Sequence, residues 1–319
     1  MKAYELYLQG RFELNKLSEN SYSNSVQYFQ KAIALDREFA LAHAGLAEAY
    51  NEIGYWGFLA PREAFPDAKR AAQEALALDS DLAEAHTALG YTQFQYEWKF
   101  KEAEAEFKEA IRLNPNSVSA RLAFCEYLMD FGRLQEAQSE LEQARELDPL
   151  SVRISFWFAV ESFAERDFDR AVEQLKKTIS MDPNNALSYD LLAAVFIQKK
   201  MPAQALAASE KVYRLEGMFS PEEVTEMRKA YETEGLSAYL RKENEFRRKR
   251  LAEGKYESPL RIALNYALAR ADTDALDWLE KAVEERTPWL PELNMDPAWD
   301  GVRSQPRFIA VLKKIGLEK

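Results

Sequence analysis

The chain has 319 residues, of which 47% are hydrophobic and 30% are charged, and its formal net charge is −11 at pH 7. An acidic excess of this size disfavours direct binding to nucleic acid or to an anionic membrane surface. The single cysteine, Cys125, excludes an internal disulfide. No apolar stretch reaches the roughly 20 residues that cross a bilayer, and residues 1–5 do not begin a signal peptide. We therefore expect a cytoplasmic protein.

Two helical hairpins are predicted at the beginning of the chain, where few glycines and prolines interrupt a helix-favouring composition. Residues 3–39 form the first hairpin, with a polar loop enlargement at residues 17–22. Residues 40–82 form the second, with an insertion at residues 51–67 that includes the run Tyr55-Trp56-Gly57-Phe58. We predict that this insertion enlarges the loop between the two helices of the second hairpin.

A period of 34 residues follows. The prolines that close successive units recur at this interval, as Pro115, Pro149 and Pro183. In the second helices of these units, a small residue recurs as Ala103, Ala137 and Ala171, and a large apolar residue recurs as Phe107, Leu141 and Leu175. Hairpins are predicted at residues 83–117, 118–151, 152–185 and 186–217. Self-similarity at this interval is typical of stacked helical hairpins, because each unit buries its apolar face only against its neighbours.

The local chemistry of each unit also predicts two helices. A residue that precedes proline is forced out of the helical region, so each Asn-Pro or Asp-Pro pair ends a helix. Two residues after the proline, Ser117, Ser151 and Asn185 can cap the next helix. Gly132 permits a left-handed turn between the two helices of its unit. Helices this short are marginal alone in water, so they must stack.

After residue 217 the period is lost. Ser220-Pro221-Glu222-Glu223 has the cap, the proline and the acidic first turn of a helix that we expect to reach Glu234. A long polar helix is predicted at residues 236–253, and Ser258-Pro259 opens one further hairpin. In that hairpin the small-large-small pattern returns as Ala275, Leu279 and Ala282.

The predicted organisation is thus all-α and has two parts. Residues 1–217 form six hairpins, and residues 218–319 form a helical extension that contains one further hairpin and a tail. A stack of hairpins leaves an apolar face at its end, and we predict that the tail caps this face.

The repeated pattern resembles the tetratricopeptide repeat family, which implies a right-handed superhelical solenoid with an atypical helical cap at its C-terminus. Outside the repeats, Pro61-Arg62-Glu63-Ala64-Phe65-Pro66 and Asp296-Pro297-Ala298-Trp299-Asp300 resemble a bacterial subgroup. In that subgroup the repeats form the C-terminal part of signalling proteins. The resemblance implies a non-catalytic scaffold or sensor module, in a signalling or transcription-regulatory system, whose partner is a protein or peptide. Effector domains of the kinase, cyclase or DNA-binding type are not visible in this sequence.

In that family, ligands lie in a concave groove lined by the first helix of each unit. Carried over to this chain, the groove residues are Glu48, Asn51, Tyr91, Phe94, Gln95, Leu122, Glu126, Met129, Asp130, Arg153, Phe156, Val160, Phe163, Asp190, Ala194, Ile197 and Gln198. The basic clamp with which chaperone-binding members hold a terminal carboxylate is absent from these positions. The resemblance therefore implies a peptide or helix with apolar anchors as the ligand.

Three alternatives stay open. The aromatic groove residues can pack against the C-terminal helices of the chain itself, which would leave nothing to bind. Tyr55, Trp56 and Phe58 can contact a ligand or can tuck over the lengthened hairpin. The alternative function is a small-molecule sensor whose pocket is closed by the insertion or the tail and which controls an attached effector domain.

Other candidate sites favour packing or solvent exposure. His43 and His86 occupy a packing position of the first helices, and two histidines alone do not make a metal site. Cys125 occupies a small-residue contact and is expected to be buried and inert. Acidic neighbours dilute the run Arg247-Arg248-Lys249-Arg250, which favours a solvated helix surface over nucleic-acid contact. Phosphate loops and nucleophile motifs are absent, so neither an enzyme nor a cofactor or metal is predicted.

Overall fold

The computed structural model describes residues 1–14, 16 and 19–318. Every element assigned within these residues is helical. The α-helices are α1 (Lys2–Leu14), α2 (Glu19–Leu35), α3 (Ala40–Tyr55), α4 (Pro61–Leu78), α5 (Ala83–Thr92), α6 (Phe100–Leu113), α7 (Val118–Asp130), α8 (Leu134–Leu147), α9 (Val152–Ala164), α10 (Phe168–Met181), α11 (Ala186–Gln198), α12 (Pro202–Glu216), α13 (Pro221–Glu234), α14 (Leu236–Ala252), α15 (Pro259–Leu268), α16 (Asp272–Glu284) and α17 (Pro306–Ile315). A π-helical turn (Gln93–Glu97) follows α5, and two 3-10 turns (Leu290–Asn294 and Pro297–Trp299) follow α16.

The chain forms two compact units. Unit 1 consists of Met1–Tyr127, Lys281–Pro291 and Lys313–Lys319, and unit 2 consists of Leu128–Glu280 and Glu292–Leu312. In unit 1 the hairpins are α1–α2, α3–α4 and α5–α6, and in unit 2 they include α9–α10, α11–α12 and α13–α14. Each unit therefore combines repeat helices with residues from the C-terminal part of the chain.

In unit 1, phenylalanines of the second helices lie against glycines of the first helices. A Cβ atom added to Gly10 or to Gly45 would lie 2.6 Å from the ring of Phe29, and one added to Gly90 would lie 2.9 Å from the ring of Phe107. Both rings are fully buried. Because close packing leaves no space for even one methyl group there, the small positions of the first helices bring paired helices together.

In unit 2 the corresponding contacts use alanine. Ala159, Ala171, Leu175 and Ala193 belong to one buried cluster, and Phe156 packs against its edge. The predicted caps are present as well. Asn185 accepts a hydrogen bond of 2.9 Å from the backbone N–H of Ser188. These contacts confirm the two-helix interpretation of the repeats.

One backbone position recurs in four consecutive hairpins. Trp98, Gly132, Arg166 and Lys200 follow one another at 34 residues and have φ values of 58°, 70°, 62° and 58°. The residue after each donates its backbone N–H to a carbonyl in the last turn of the first helix, as from Met201 to Phe196 at 2.9 Å. This is the Schellman closure of a helix. The left-handed backbone favours glycine, and only one of the four positions has it.

The third hairpin has one extra residue in its first helix. Trp98 lies sixteen positions after the N-cap Leu82, whereas Gly132 lies fifteen positions after Ser117. The structure accommodates the extra residue as the π-helical turn Gln93–Glu97. A π turn inserts a residue without ending the helix, so it changes which way the side chains of the last turn point.

Two loop predictions need correction. Residues 51–55 and 61–67 are helical, so the insertion lengthens α3 and α4 and leaves only residues 56–60 between them. Of the loop predicted at residues 17–22, Leu17 and Ser18 lie outside the described residues, and residues 19–22 belong to α2. The helix α4 holds proline at its first position, where no backbone donor is needed, and again at Pro66.

The C-terminal elements begin as predicted. Ser220 and Glu223 form a complete capping box at α13, and Ser258 caps α15 through the backbone N–H of Arg261. The basic run is not uniformly solvated, however. Arg247 is buried in unit 2 between Glu243 and Glu257, at 2.7 Å from each, so the interpretation of this residue as a surface charge was wrong.

Across the part of the chain that is described, no helix has both the length and the apolar character needed to cross a membrane.

Candidate functional site

A group of aromatic side chains lies on the first helices of unit 1. Tyr55 is the last residue of α3, Trp56 follows it, and Tyr91 lies on α5. Tyr96 belongs to the π turn, and Trp98 follows that turn. The rings of Tyr55 and Tyr91 are 5.6 Å apart, and those of Tyr55 and Trp56 are 4.8 Å apart, edge to face. With Gln95 we call these residues the aromatic patch. All of its aromatic side chains keep part of their surface exposed.

The aromatic patch holds a segment from the C-terminal part of unit 1. The Trp289 ring lies edge to face with Tyr55 and Trp56, at centroid distances of 5.5 Å and 6.0 Å. The Trp289 backbone N–H donates to Gln95 Oε1 at 3.0 Å. Edge-to-face pairs at these distances contribute beyond the area that they bury. The predicted contact residues Tyr55 and Trp56 therefore lie against the chain itself.

A second contact of the same segment is cationic. The guanidinium carbon of Arg286 lies 4.7 Å from the Trp98 ring centroid and 5.6 Å from that of Tyr96. Its Nη1 donates to the Tyr96 carbonyl at 3.0 Å. Both distances are within the range of cation–π attraction.

Gln95 connects these contacts to the next repeat. Its side chain is fully buried, and its Nε2 donates to Glu126 Oε1 at 2.7 Å. The same carboxylate oxygen accepts a long hydrogen bond of 3.5 Å from the Tyr91 hydroxyl. Gln95 therefore offers its amide N–H to α7 and its carbonyl oxygen to the backbone of residue 289. The structure brings together Tyr91, Gln95 and Glu126 from the sequence-predicted set.

Other sequence-predicted residues of unit 1 lie in the interior. Phe94 is fully buried and packs edge to face on Phe107 and Tyr127. Leu122 is also buried. Phe58 is 40% exposed, and its ring lies 5.9 Å from that of Tyr22. A ligand can reach Phe58 in this structure, but the Phe94 and Leu122 side chains serve the core.

In unit 2 the sequence-predicted residues divide in the same way. Met129, Asp130 and Phe163 are buried, and Phe163 lies 5.9 Å from the Phe168 ring. Phe156, Asp190 and Ile197 are partly exposed, and Arg153 is exposed. Asp190 and Ile197 share α11, two helical turns apart, whereas Arg153 and Phe156 share α9, so the exposed positions lie on the first helices.

Charged residues of the C-terminal part meet these helices in unit 2. Arg261 on α15 donates to Asp190 at 2.6 Å. Asp300 accepts two hydrogen bonds from Arg166, at 2.6 Å and 3.0 Å. The hydrogen bonds from Arg166 lower the pKa of Asp300 to about 2. Both ion pairs are partly exposed to solvent.

A buried charge cluster lies elsewhere in unit 2. Arg247 donates to Glu243 and Glu257, and Glu243 also accepts from the Tyr213 hydroxyl at 2.9 Å. Burial opposes the charge on Arg247, but the carboxylates of Glu243 and Glu257 outweigh it and raise the pKa of the guanidinium. The cluster satisfies its own charges, which is typical of a structural site.

Metal and nucleophile sites are not assembled in the described residues. Each histidine ring contacts a backbone carbonyl through Nε2 and a carboxylate through Nδ1. The carboxylate is Glu74 for His43 and Glu106 for His86. Cys125 is buried, as predicted. No group of three or more potential metal ligands converges within the residues that the structure describes.

Sequence reasoning missed Arg286 as a contact residue and did not join Trp289 to Gln95. Two signals were available. Trp289 is an aromatic residue directly after a proline in the non-periodic tail, and the extra residue in the first helix of the third hairpin marks the turn that carries Gln95. Neither signal specifies the pairing, because the two residues are separated by 194 positions.

Comparisons with known proteins agree with the repeat pattern. A family model described as tetratricopeptide repeat matches residues 98–154. Hsp70-Hsp90 organizing protein 1 of Glycine max is 26% identical over 159 residues, which are 50% of this chain and 26% of that protein. The chain thus spans about a quarter of the length of this curated relative.

Solved structures of similar fold cover most of the chain. A human IFIT1 dimer with PPP-AAAA is 14% identical, with a TM-score of 0.57 over 86% of this chain and 72% of that chain. The Cut9–Hcn1 hetero-tetramer of the APC/C is 13% identical, with a TM-score of 0.54 over 92% and 49%. TTC0263, a thermophilic TPR protein of Thermus thermophilus, is 16% identical, with a TM-score of 0.50 over 61% and 99%. At these identities the likeness shows the fold alone, an all-α solenoid of tetratricopeptide repeat type.

Proposed function

We propose that this chain is a tetratricopeptide repeat protein and, as such, a non-catalytic interaction module that binds a peptide or helix on the first helices of its repeats. Proteins of this family mediate protein–protein interaction and are generally non-catalytic. We assign the module to a bacterial signalling or transcription-regulatory system in the cytoplasm, on the basis of the tail motifs that resemble that subgroup. Its partner is a protein or peptide and not nucleic acid or a membrane.

One observation carries the proposal. In unit 1, side chains of the first helices hold a turn segment of polypeptide, through a backbone N–H bonded to Gln95 and an aromatic ring placed on Tyr55 and Trp56. Peptide-binding surfaces combine hydrogen bonds to backbone groups with contacts to adjacent side chains. The surface therefore has the chemistry of a peptide site.

The first helices of unit 2 support the same function. Phe156 and Ile197 are partly exposed apolar residues, with Arg153 one turn from Phe156 on α9 and Asp190 two turns from Ile197 on α11. An apolar centre with a charged rim is typical of interfaces in which a few anchors supply most of the affinity. A partner with apolar anchors fits this face.

The net charge and the groove composition also limit the partner. At −11 the chain repels an acidic peptide at long range. The name of the curated relative refers to Hsp70 and Hsp90. A terminal carboxylate needs a basic clamp, however, and the sequence-predicted groove holds one arginine among its seventeen residues. We therefore do not extend chaperone binding to this chain.

The test is partner capture with matched variants of the full chain. One variant carries Phe156→Ser and Ile197→Ser on first helices, and the control carries Leu147→Ser and Leu150→Ser, which are exposed apolar residues outside the first helices. A captured protein is identified, purified and titrated calorimetrically against each variant. We expect the first-helix variant to lose at least about 10-fold in affinity, since truncation of one central anchor costs more than about 1 kcal/mol. Equal affinity for both variants would reject the site.

A further inference from the structure

We propose that residues Arg286–Leu290 are an internal ligand of the aromatic patch, and that the patch recognises an external peptide with a basic residue three positions before an aromatic residue. The inference rests on the proposed function, because it names the partner chemistry of one of its surfaces. In the resting protein the internal segment covers the patch, and a partner of this chemistry competes for it. The contacts that carry the inference all lie within unit 1.

The spacing of the two anchors follows from the contacts. Arg286 lies over Trp98 and Tyr96, Trp289 lies against Tyr55 and Trp56, and the Trp289 N–H bonds Gln95 between them. Lysine or arginine satisfies the first position, because the attraction depends on positive charge over an aromatic face. A planar ring is needed at the second position, because the two neighbouring rings meet it edge to face.

The internal segment is not an ideal ligand. Arg286 and Trp289 both have left-handed backbone, with φ of 50° and 69°. Arg286 occupies the closing position of α16, where such backbone is common, but Trp289 does not end an α-helix. A bulky side chain in this region is strained, and strain of this kind persists only where surrounding contacts enforce it.

Two buried polar atoms add to the mismatch. The Thr287 hydroxyl and the Trp98 indole N–H have no hydrogen-bond partner among the described residues, although both atoms are buried. A buried polar group without a partner destabilises the state in which it is buried. An external peptide with relaxed backbone, or with a polar group that pairs with the indole N–H, would avoid these penalties.

The π turn gives the patch its polar centre. Gln95 is its third residue, and the turn places the Gln95 side chain between Glu126 and the Trp289 backbone. Because Gln95 Nε2 is fixed by Glu126, the carbonyl oxygen has a set direction and can accept from a peptide N–H. Glutamate at this position would face the Glu126 carboxylate and lose that arrangement.

The test measures binding of a fluorescent capped peptide with the sequence of residues 285–291 to the full-length chain, by anisotropy. The open variant carries Arg286→Ala and Trp289→Ala. An internal ligand reduces apparent affinity by the fraction of molecules that are open. We expect the open variant to bind the peptide at least about 10-fold more tightly than the unmodified chain. A peptide with alanine in place of both anchors should not bind.

Two further variants make the result decisive. Tyr55→Ala with Gln95→Leu, added to the open variant, should abolish peptide binding if the patch is the site. Circular dichroism establishes that each variant is folded. If the open variant with Arg286→Ala and Trp289→Ala is unfolded, the single substitution Arg286→Ala, at an exposed residue, replaces it. We then expect a smaller gain in peptide affinity, of about 3-fold.

Equal peptide affinity for the open and unmodified chains, or no binding to a folded open variant, would overturn the inference. Either result would leave the capture experiment with Phe156 and Ile197 unaffected, because those residues lie in unit 2. Failure of the internal-ligand inference is therefore distinguishable from failure of the proposed function.

Discussion

The two units hold their C-terminal residues with different chemistry. In unit 1, Trp289 and Arg286 meet the first helices through rings and an amide. In unit 2, Arg261 pairs with Asp190, and Asp300 pairs with Arg166. Contacts between aromatic rings respond weakly to salt and pH, whereas partly exposed ion pairs are screened by salt and each contribute little to stability. The contacts of the two units can therefore be broken separately.

The largest expected effect comes from charge that is buried rather than exposed. Glu257→Ala leaves Arg247 with one carboxylate fewer inside unit 2, and removal of one partner from a buried pair costs about 3–5 kcal/mol. Arg261→Gln, at a partly exposed pair, is the matched control and should cost less than about 1 kcal/mol. Chemical denaturation monitored by circular dichroism measures both. Similar losses for the two variants would contradict the distinction between buried and exposed charge.

Next in size is the aromatic contact of unit 1. Trp289→Ala should lower the free energy of unfolding by about 2 kcal/mol, which is below the value for a fully buried tryptophan because this ring is partly exposed. Trp289→Phe keeps a ring and should lose less. The loss should be the same at low and high salt. At 0.5 M salt the Debye length is about 4 Å, which screens exposed charges. A loss of stability that shrinks strongly at that salt concentration would argue against the edge-to-face ring contacts as its source.

The turn between paired helices offers a comparison at one backbone position. Lys200 is exposed and has left-handed backbone, so Lys200→Gly should stabilise the chain by about 0.5–1 kcal/mol. Trp98 has the same backbone but also supports Arg286, so Trp98→Gly should lose stability. Thermal melts of the two variants compare them directly. If both substitutions stabilise the chain, the Trp98 side chain contributes nothing to stability.

The smallest effect is expected at Asp300, whose pKa is lowered to about 2 from 3.8. A carboxyl with a lowered pKa stabilises the folded state above its unfolded pKa and loses that contribution as the pH falls. Asp300→Asn should therefore cost at most about 0.5 kcal/mol near pH 7, because the pair is exposed. The difference from the unmodified chain should disappear between pH 4 and pH 2. A difference that grows on acidification would have the wrong sign.

The repeats were predictable because their signals are local. Proline after Asn or Asp, a cap two residues later and a small residue on each packing face define a hairpin without reference to the rest of the chain. The capping box at Ser220 and the start of α15 at Pro259 followed from the same rules. Gly132 was identified as a turn, but its equivalents Arg166 and Lys200 carry no glycine signal.

What failed depended on distant contacts. Phe94 fell at a groove position by counting, but it lies in the π turn and the structure buries it on Phe107 and Tyr127. Arg247 was expected to be solvated among acidic neighbours. One of the two carboxylates that pair with it in the interior, Glu257, lies after the end of α14. For Tyr55 and Trp56 the alternatives left open were a ligand contact and packing over the lengthened hairpin, and in unit 1 both rings lie against Trp289 of the chain itself.

The most direct measurement is amide hydrogen exchange in the full-length chain as the capped peptide of residues 285–291 is added. The Trp289 N–H, bonded to Gln95 at 3.0 Å, should be protected at first and should exchange faster as the peptide saturates the patch. A Trp289 amide that exchanges freely without peptide, or that stays protected at every peptide concentration, would contradict an aromatic patch held by an internal, displaceable ligand.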